Sequence, residues 1–212
     1  IITIPRTVVL GVDIFEAFMD QNKLYPIALS DASDQEILDQ FVKADLPEEL
    51  EKNLLKLSQV LKRSVAIRSS SMLEDSHHQP FAGIYSTYMI AYHSHSDIMA
   101  KQMGDAIKCV YASVYFKSSK AYMTSTLNLI DEERMGIVLQ EIVGQSHGKR
   151  FYPTISGVGR SVNFYPIPPE RSEEGIVNVA LGLGKYIVEG GTSLRFSPEY
   201  PQKVMQLSTP EM

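Results

Sequence analysis

The residues of this sequence best suited to binding chemistry follow a short apolar run at positions 65–67. Arg68 comes directly after this run, and three serines, 69 to 71, follow the arginine. A guanidinium offers a rigid fork of donors that matches phosphate oxygens, and hydroxyl and loop N–H groups add neutral donors beside it. The pattern indicates either an anion-binding strand end or a surface turn, which is the commoner setting of an Arg-Ser pair.

Further polar and small residues follow this strand in a fixed order. An acidic pair, Glu74-Asp75, comes next, and Phe81-Ala82-Gly83 and Thr87 come after it. A glycine without a Cβ lets a backbone N–H approach a phosphate closely, or it simply permits a turn with positive φ. Thr87 is equally a common strand residue. These residues are therefore candidates for phosphate contact, with a purely structural role as the alternative.

Two more candidates lie later in the chain. Gln140 interrupts an apolar run at 137–143, and an unpaired buried amide is costly, so its side chain needs a partner. That partner is either a ligand or another group of the protein. Gly182-Leu183-Gly184 resembles a glycine-rich phosphate or ribose loop, although a lone Gly-x-Gly is weak evidence.

Together these motifs resemble the N-terminal nucleotide-binding domain of phosphoenolpyruvate synthase and pyruvate phosphate dikinase. The signature of that family reads roughly V-A-V-R-S-S-A, then E-D, then S-F-A-G with a threonine four residues later, and residues 65–87 follow this order. Residues 137–143 are similar to its V-V-V-Q-x-M-V strand, and 182–190 to its G-L-G-E-x-V-V-x-G. Ile4-Pro5, with the residues after it, is similar to its V-P-x-G-F-V-I-T entry segment. The resemblance covers nearly the whole chain.

The resemblance implies an α+β, ATP-grasp-like fold in which two lobes enclose a nucleotide cleft. We expect residues 1–130 to form a helix-rich lobe and residues 131–212 a strand-rich lobe. The chain begins with Ile1 rather than methionine, so we interpret residues 1–212 as a fragment, truncated at both ends, of a longer protein.

The resemblance also implies roles for individual residues. Arg68, Gly83 and Thr87 would contact the ATP phosphates, and the strand around Gln140 would read adenine at the hinge between the lobes. The complete set of predicted nucleotide-binding residues is Arg68, Gly83, Thr87, Gln140, Glu141, Val143, Gly182 and Gly184. No catalytic residue is assigned, and the family's Mg²⁺ ligands are expected beyond residue 212.

In the family, ATP donates a phosphoryl group to a histidine on a separate swivelling domain of the same chain, in pyruvate to phosphoenolpyruvate-type chemistry. The predicted ligands are therefore ATP and Mg²⁺, and the fragment alone is expected to be nearly inactive. The alternative is a non-catalytic nucleotide-binding or regulatory module that retains the fold. Lys185 favours it, because the family has a glutamate there. The family's Ser-Gly-Val-x-Phe-Thr strand, compared with residues 147–152, matches only at Gly148 and Phe151.

Composition narrows the classes of partner. The formal net charge of -5 disfavours non-specific binding to nucleic acid or anionic membranes, and no apolar run reaches the ~18 residues of a membrane span. The single cysteine, Cys109, excludes an intrachain disulfide, so a cytoplasmic location is the simplest inference. The five histidines lack the spacing of a zinc site.

Hydrophobic periodicity predicts helices first and strands later. Helices are predicted to begin at Asp13, near Ser33-Asp34 and around Pro47, and one long helix is predicted at 97–124. Strands are predicted near the N-terminus and at 64–69, 85–92, 135–143, 150–156, 161–165, 175–180 and 193–196, with a short helix at 185–189.

Overall fold

The computed structural model describes residues 2–71, 74, 85–125, 133–184, 187 and 193–204. The chain divides into two compact units, Ile1–Ile142 and Val143–Met212. The α+β class predicted from the sequence is confirmed. The division falls later than the expected change near residue 130, because the strand at 135–141 pairs within the sheet of the first unit.

The first unit contains one antiparallel sheet of four strands in the order β1-β4-β2-β3. These strands are β1 (Thr7–Leu10), β2 (Val65–Ser71), β3 (Tyr88–Ile90) and β4 (Met135–Glu141). The two central strands, β2 and β4, are the longest, and seven residue pairs join them, from Val65 opposite Glu141 to Ser71 opposite Met135.

The described part of the first unit also contains six helices. They are α1 (Val12–Gln21), α2 (Tyr25–Ala28), α3 (Asp34–Lys43), α4 (Glu48–Val60), α5 (Ser96–Ser113) and α6 (Lys117–Ser125). α3 and α4 pack on α5, α1 packs against β4, and α5 packs against β2, β3 and β4. The core between them is rich in aromatic residues: the rings of Phe15 and Tyr111 meet edge to face with centroids 5.0 Å apart. Burial of such rings against a half-apolar sheet is the main stabilising contribution here.

Several helix starts follow the sequence signals. α3 begins at a capping box: the Ser33 hydroxyl accepts from the Glu36 N–H, and the Glu36 carboxylate accepts from the Ser33 N–H at 2.8 Å. Pro47 is the N-cap of α4, one residue before the first turn predicted for it. α1 begins at Val12 with Gly11 as its N-cap, so Asp13 lies in the first turn rather than at the cap.

The second unit is built from two small antiparallel sheets. β5 (Gln145–His147) and β6 (Arg150–Tyr152) form a hairpin. β7 (Ile155–Arg160), β8 (Ile176–Leu181) and β9 (Leu194–Phe196) form a three-stranded sheet with β8 in the centre. A 3-10 turn, Ser172–Glu174, precedes β8.

Three predicted elements differ in the structure. The strand predicted at 150–156 is divided between β6 and β7. The helix predicted at 97–124 is divided into α5 and α6. The strand predicted at 161–165 is a loop around Asn163, whose side chain is fully buried and hydrogen-bonded. The helix predicted at 185–189 falls almost wholly outside the described residues. Within the part of the chain that the structure describes, no helix has the length and apolar character to cross a bilayer.

Candidate functional site

The outer face of the first sheet brings together two of the predicted site residues. Side chains alternate between the faces of a strand, and residues directly opposite each other project to the same face. Ala66 lies opposite Gln140, and Arg68 lies opposite Val138, so all four share one face. The neighbouring residues Ile67 and Leu139 belong to the other face and are buried in the core.

The edge strands extend this outer face with exposed apolar side chains. On β1, Thr7 lies opposite Gln140 and Val9 lies opposite Val138, and on β3, Met89 lies opposite Ala66. Val9 is 64% exposed and Met89 is 63% exposed. We call the face formed by Thr7, Val9, Ala66, Arg68, Met89, Val138 and Gln140 the outer sheet face. It combines an apolar surface with one cation and one carboxamide.

Arg68 is exposed on this face. Among the described residues its guanidinium has no hydrogen-bond or ion-pair partner. A structural arginine would be expected to donate to a carboxylate or a carbonyl. The guanidinium of Arg68 is therefore not committed to the part of the fold that the structure describes.

Gln140 has the partner that the sequence required, and that partner belongs to the protein. Its Nε2 donates to the Thr7 hydroxyl at 3.0 Å, across the pair of residues that β1 and β4 place opposite each other. The side chain is half-buried rather than enclosed in the core. The bond holds the amide nitrogen toward β1, which fixes the direction in which the carboxamide is presented.

The backbone after Gln140 is largely committed to the fold. The Glu141 N–H donates to the Arg6 carbonyl at 2.9 Å, and the Ile142 N–H donates to the Ser64 carbonyl at 2.8 Å. The Glu141 carboxylate lies 4.0 Å from the Arg6 guanidinium. Val143 begins the second unit and is 57% exposed. A ligand at this position would therefore meet the carboxamide of Gln140 before any free N–H of residues 141 or 142.

The predicted phosphate loop is described only at its borders. Gly83 lies outside the described residues, as do Phe81 and Ala82. Thr87 is exposed and immediately precedes β3, whose first residue, Tyr88, lies opposite Ile67, the neighbour of Arg68. The chain therefore enters β3 beside the middle of β2, where Arg68 lies, because β2 continues to Ser71, past the end predicted for it at residue 69.

Gly182 and Gly184 belong to the second unit and follow β8. Gly182 has φ +77, where an L side chain would be strained, although nothing lies within 4 Å of an added Cβ. The Ser156 hydroxyl donates to the Gly182 carbonyl at 2.6 Å, and a Cβ on Gly184 would lie 3.4 Å from that of Ser156. The turn requires glycine at position 182 because of its backbone conformation. Gly184 lies against Ser156 at the start of β7. Lys185 lies outside the described residues.

The position of Ser156 changes the comparison with the family strand. The Ser-Gly-Val-x-Phe-Thr pattern fits Ser156-Gly157-Val158 better than it fits residues 147–152. In this match, Arg160 stands where the pattern has phenylalanine. β7 carries the match and pairs with β8 along its whole length, and Gly182-Leu183-Gly184 directly follows β8.

One cluster was missed by the sequence reasoning. Glu133 is only 7% exposed, and the Tyr85 hydroxyl donates to its carboxylate at 3.3 Å. Burial raises the pKa of Glu133, while hydrogen bonds from Ser71 and Tyr85 oppose that rise; the nearby Glu74 carboxylate adds to it. The Glu74 carboxylate accepts from Ser69 at 2.8 Å. No local pattern signals this cluster, because its members come together only through the sheet register.

The cluster ties together both ends of the segment 72–84. Ser71 ends β2 on the near side of that segment, and Tyr85 is the first described residue after it. Both contact Glu133, which immediately precedes Arg134 and β4. Among the described residues, no group of three or more His, Cys, Asp or Glu side chains is placed to hold a metal ion.

Two comparisons with known proteins bear on this arrangement. The family described as "Pyruvate phosphate dikinase, AMP/ATP-binding domain" matches residues 1–207. The chain is also 28% identical over 190 residues to an uncharacterized phosphotransferase, YvkC, of Bacillus subtilis (strain 168). That alignment takes in 90% of this chain and 20% of the relative, so the chain spans about a fifth of the relative's length.

Proposed function

The chain belongs to the pyruvate phosphate dikinase AMP/ATP-binding domain family, and we therefore propose that it forms the ATP-binding part of a phosphotransferase. In the complete protein, ATP would pass a phosphoryl group to a histidine on a separate swivelling domain, for pyruvate to phosphoenolpyruvate-type chemistry. The relative from Bacillus subtilis carries the name of a phosphotransferase, which supports the same class of reaction.

The observation that carries this proposal is the position of Arg68 on the outer sheet face. Its guanidinium is exposed, has no partner among the described residues, and shares this face with Gln140. A partnerless cation beside exposed apolar side chains suits a ligand with a polyanionic end and a planar apolar end. ATP has both.

Arg68 would contact the β or γ phosphate of ATP. A bidentate guanidinium contact neutralises the charge that develops on the phosphoryl oxygens during transfer and holds the phosphate chain in one orientation. Gly83 and Thr87 would add backbone and hydroxyl donors from the segment that leads into β3. Arg68 is the charged donor that we propose for the phosphates among this chain's own residues.

Gln140 would contact adenine through its carboxamide. The bond to Thr7 orients the amide nitrogen toward β1, which leaves the carbonyl oxygen as an acceptor for an exocyclic amine. Since the N–H groups of Glu141 and Ile142 are engaged, further contacts here would come from carbonyl oxygens and from Val143. Acceptors suit the amine of adenine and reject the O6 of guanine.

Gly182 and Gly184 would contribute a backbone surface for phosphate or ribose. The positive φ of Gly182 turns the chain directly after β8, and the Ser156 hydroxyl holds that turn in place. This part of the proposal concerns the second unit alone.

The transfer step breaks the bond between the leaving phosphoryl phosphorus and its bridging oxygen and forms a P–N bond to an imidazole nitrogen. The bridging oxygen leaves as part of the nucleotide product. None of the described residues is assigned as acceptor, since the accepting histidine would lie on the swivelling domain. The described residues bind and orient the nucleotide.

A second candidate is a nucleotide-binding or regulatory module without catalysis. The sequence observation that favours it is Lys185, which replaces the glutamate of the family pattern. A lysine beside the phosphates still permits binding, but it cannot supply a carboxylate to ribose or a metal ion.

One experiment separates these functions. The full-length protein that contains this chain is incubated with ATP labelled in the β or γ phosphate, and saturable ATP binding is measured in parallel. Protein-bound label that is lost in acid and kept in alkali supports transfer to histidine. Saturable binding without label supports the module, and absence of both contradicts the nucleotide-binding proposal.

A further inference from the structure

One edge of the first sheet is open among the strands that the structure describes, because β1 pairs only with β4. The Glu141 N–H donates to the Arg6 carbonyl at 2.9 Å, so Arg6 and Glu141 form a hydrogen-bonded pair of the ladder. Such pairs alternate along an antiparallel ladder, and the backbone groups of Thr7 and Val9 therefore point away from β4. Their N–H and carbonyl groups lie along the free edge.

The composition of β1 suits pairing at this edge. Exposed edges are ordinarily protected by lysine, proline or a bulge, whereas β1 itself, Thr-Val-Val-Leu, contains no charged residue and no proline. Threonine and valine are β-branched and favour extended backbone. Val9 is 64% exposed, and Ile4, just before the strand, is 89% exposed. The edge therefore has the character of a pairing surface rather than of a protected edge.

A groove with a volume of about 640 Å³ follows this edge, between β1 and α4. Val8 lines the groove from the strand, and Leu54 and Leu57 line it from the helix. Val60, the last residue of α4, also lines the groove and is 58% exposed. A second chain at the free edge would therefore find apolar surface to bury beside the backbone groups that pair with it.

The groove has one basic end and one acidic end. The Arg6 guanidinium donates to the Val60 carbonyl at 3.3 Å, so the end of α4 lies at the start of β1. Lys56, about one turn before Val60, lines the groove toward this basic end. Glu49, in the first turn of α4, and Asp13, in the first turn of α1 after β1, line the acidic end. Glu49 and Lys56 are exposed, and neither has an ion-pair partner within the described ranges.

We propose that the free edge of β1 binds a second copy of this chain, whose own β1 runs antiparallel to the first about a twofold axis. In the register that pairs all the outward backbone groups, Thr7 lies opposite Val9 of the second copy, and Val8 lies at the axis.

The same arrangement makes the charges complementary. The twofold axis reverses the second groove, so the basic end of each copy faces the acidic end of the other. One surface with two opposite ends thus matches itself, as a twofold interface requires. The proposed interface involves the first unit alone.

Sedimentation equilibrium of the full-length protein that contains this chain measures the association over a range of concentrations. V9K places a charge on the free edge, and E49K reverses a charge at the acidic end of the groove. Each should raise the dissociation constant of the dimer by about tenfold or more. The double variant E49K/K56E exchanges the two charges and should restore association. The matched control is D97K, at an exposed acid in the first turn of α5 that does not line the groove, and it should associate as wild type does.

Cysteine cross-linking tests the register. Residues directly opposite each other in a ladder lie within the Cα separation that a disulfide spans, whereas diagonal neighbours lie beyond it. A mixture of T7C and V9C proteins should therefore form a disulfide-linked dimer on mild oxidation, and neither variant alone should do so. Wild type, which contains only Cys109, is the control and should form none.

Three results would overturn the proposal. They are a protein that stays monomeric at every concentration, an association that V9K and E49K leave unchanged, and cross-linking of V9C alone to the same extent as the mixture. The first of these results would assign the groove to a segment of different sequence.

Discussion

Arg68 and Gln140 lie on one face of the first sheet, on the adjacent strands β2 and β4, where Gln140 is opposite Ala66 and Arg68 is opposite Val138. The two side chains are therefore offset by two residues along the strands, on a surface whose opposite side packs against α1 and α5. A ligand that spans this offset can meet a cation and a carboxamide at once. This relationship is the geometric basis of the proposed nucleotide contacts.

The first prediction concerns purine selection by Gln140. Q140A should reduce the ratio of ATP to GTP affinity toward one, because it removes the acceptor proposed to read the exocyclic amine. A neutral hydrogen bond contributes about 0.5–1.5 kcal/mol, which corresponds to a change of about two- to tenfold in the ratio. Titrations of both nucleotides with the full-length protein measure it.

T7V is the companion variant for this prediction. It removes the hydroxyl that accepts from the Gln140 amide but keeps the carboxamide itself. It should retain part of the preference for ATP, because the carboxamide is still present but is no longer held in one orientation. If neither Q140A nor T7V changes the ratio of ATP to GTP affinity, Gln140 only joins β1 to β4 and does not contact the base.

The second prediction concerns the buried carboxyl of Glu133. Burial holds its pKa above the ordinary value of 4.5. Below that pH the folded and unfolded states both carry the proton. As the pH rises, the unfolded state releases its proton first, so the wild-type free energy of unfolding falls until the folded pKa is passed. E133Q removes this loss, because the amide cannot ionise and its oxygen can still accept from Tyr85.

Thermal unfolding between pH 4.5 and pH 8 measures this effect. E133Q should be more stable than wild type at neutral pH, by about 2–4 °C for each kcal/mol relieved, with a smaller difference at the acid end. D45N is the matched control, since Asp45 is exposed and its carboxylate has no partner among the described residues. If E133Q is less stable than wild type at every pH, the prediction is wrong, because that result would show that the ionised carboxylate of Glu133 stabilises the fold.

The third prediction concerns the capping box of α3. S33A should lower the free energy of unfolding by about 0.5–2 kcal/mol, because the Glu36 N–H loses its acceptor at the helix start. S118A, at an exposed position within α6, is the control and should be close to neutral. Urea unfolding of both variants measures these changes. Equal losses of unfolding free energy in S33A and S118A would show that the capping hydrogen bond does not stabilise the protein.

Local signals in the sequence were sufficient to predict the helix at Ser33 and the existence of the strand at 64–69, although β2 continues to Ser71. Capping and alternation depend on residues a few positions apart, so the sequence displays them directly. The break between α5 and α6 was missed because the apolar spacing continues through it, with Val114, Tyr115 and Met123 all buried. The spacing of apolar residues indicates which side chains are buried, and buried side chains continue from the end of α5 into α6.

The site was only partly predictable, because its contacts join residues that lie far apart in the sequence. The sequence showed that Gln140 needs a partner, but the partner is Thr7, 133 residues away, and only the pairing of β1 with β4 brings it near. The strand predicted at 161–165 failed because Asn163 makes side-chain bonds that replace a ladder, including one to Glu170. Long-range register and side-chain bonding of this kind leave no local pattern.

The proposed contact between Arg68 and an ATP phosphate is tested most directly by measuring two quantities on one variant. R68A of the full-length protein is titrated with ATP, and its thermal unfolding is recorded beside that of R63A, which removes an exposed arginine just before β2. R68A should weaken ATP binding by about tenfold to hundredfold with little change in melting temperature, R68K should recover only part of the loss, and R63A should match wild type. A folded R68A with wild-type ATP affinity, or a clear drop in its melting temperature with affinity unchanged, would contradict the assignment of Arg68 to phosphate.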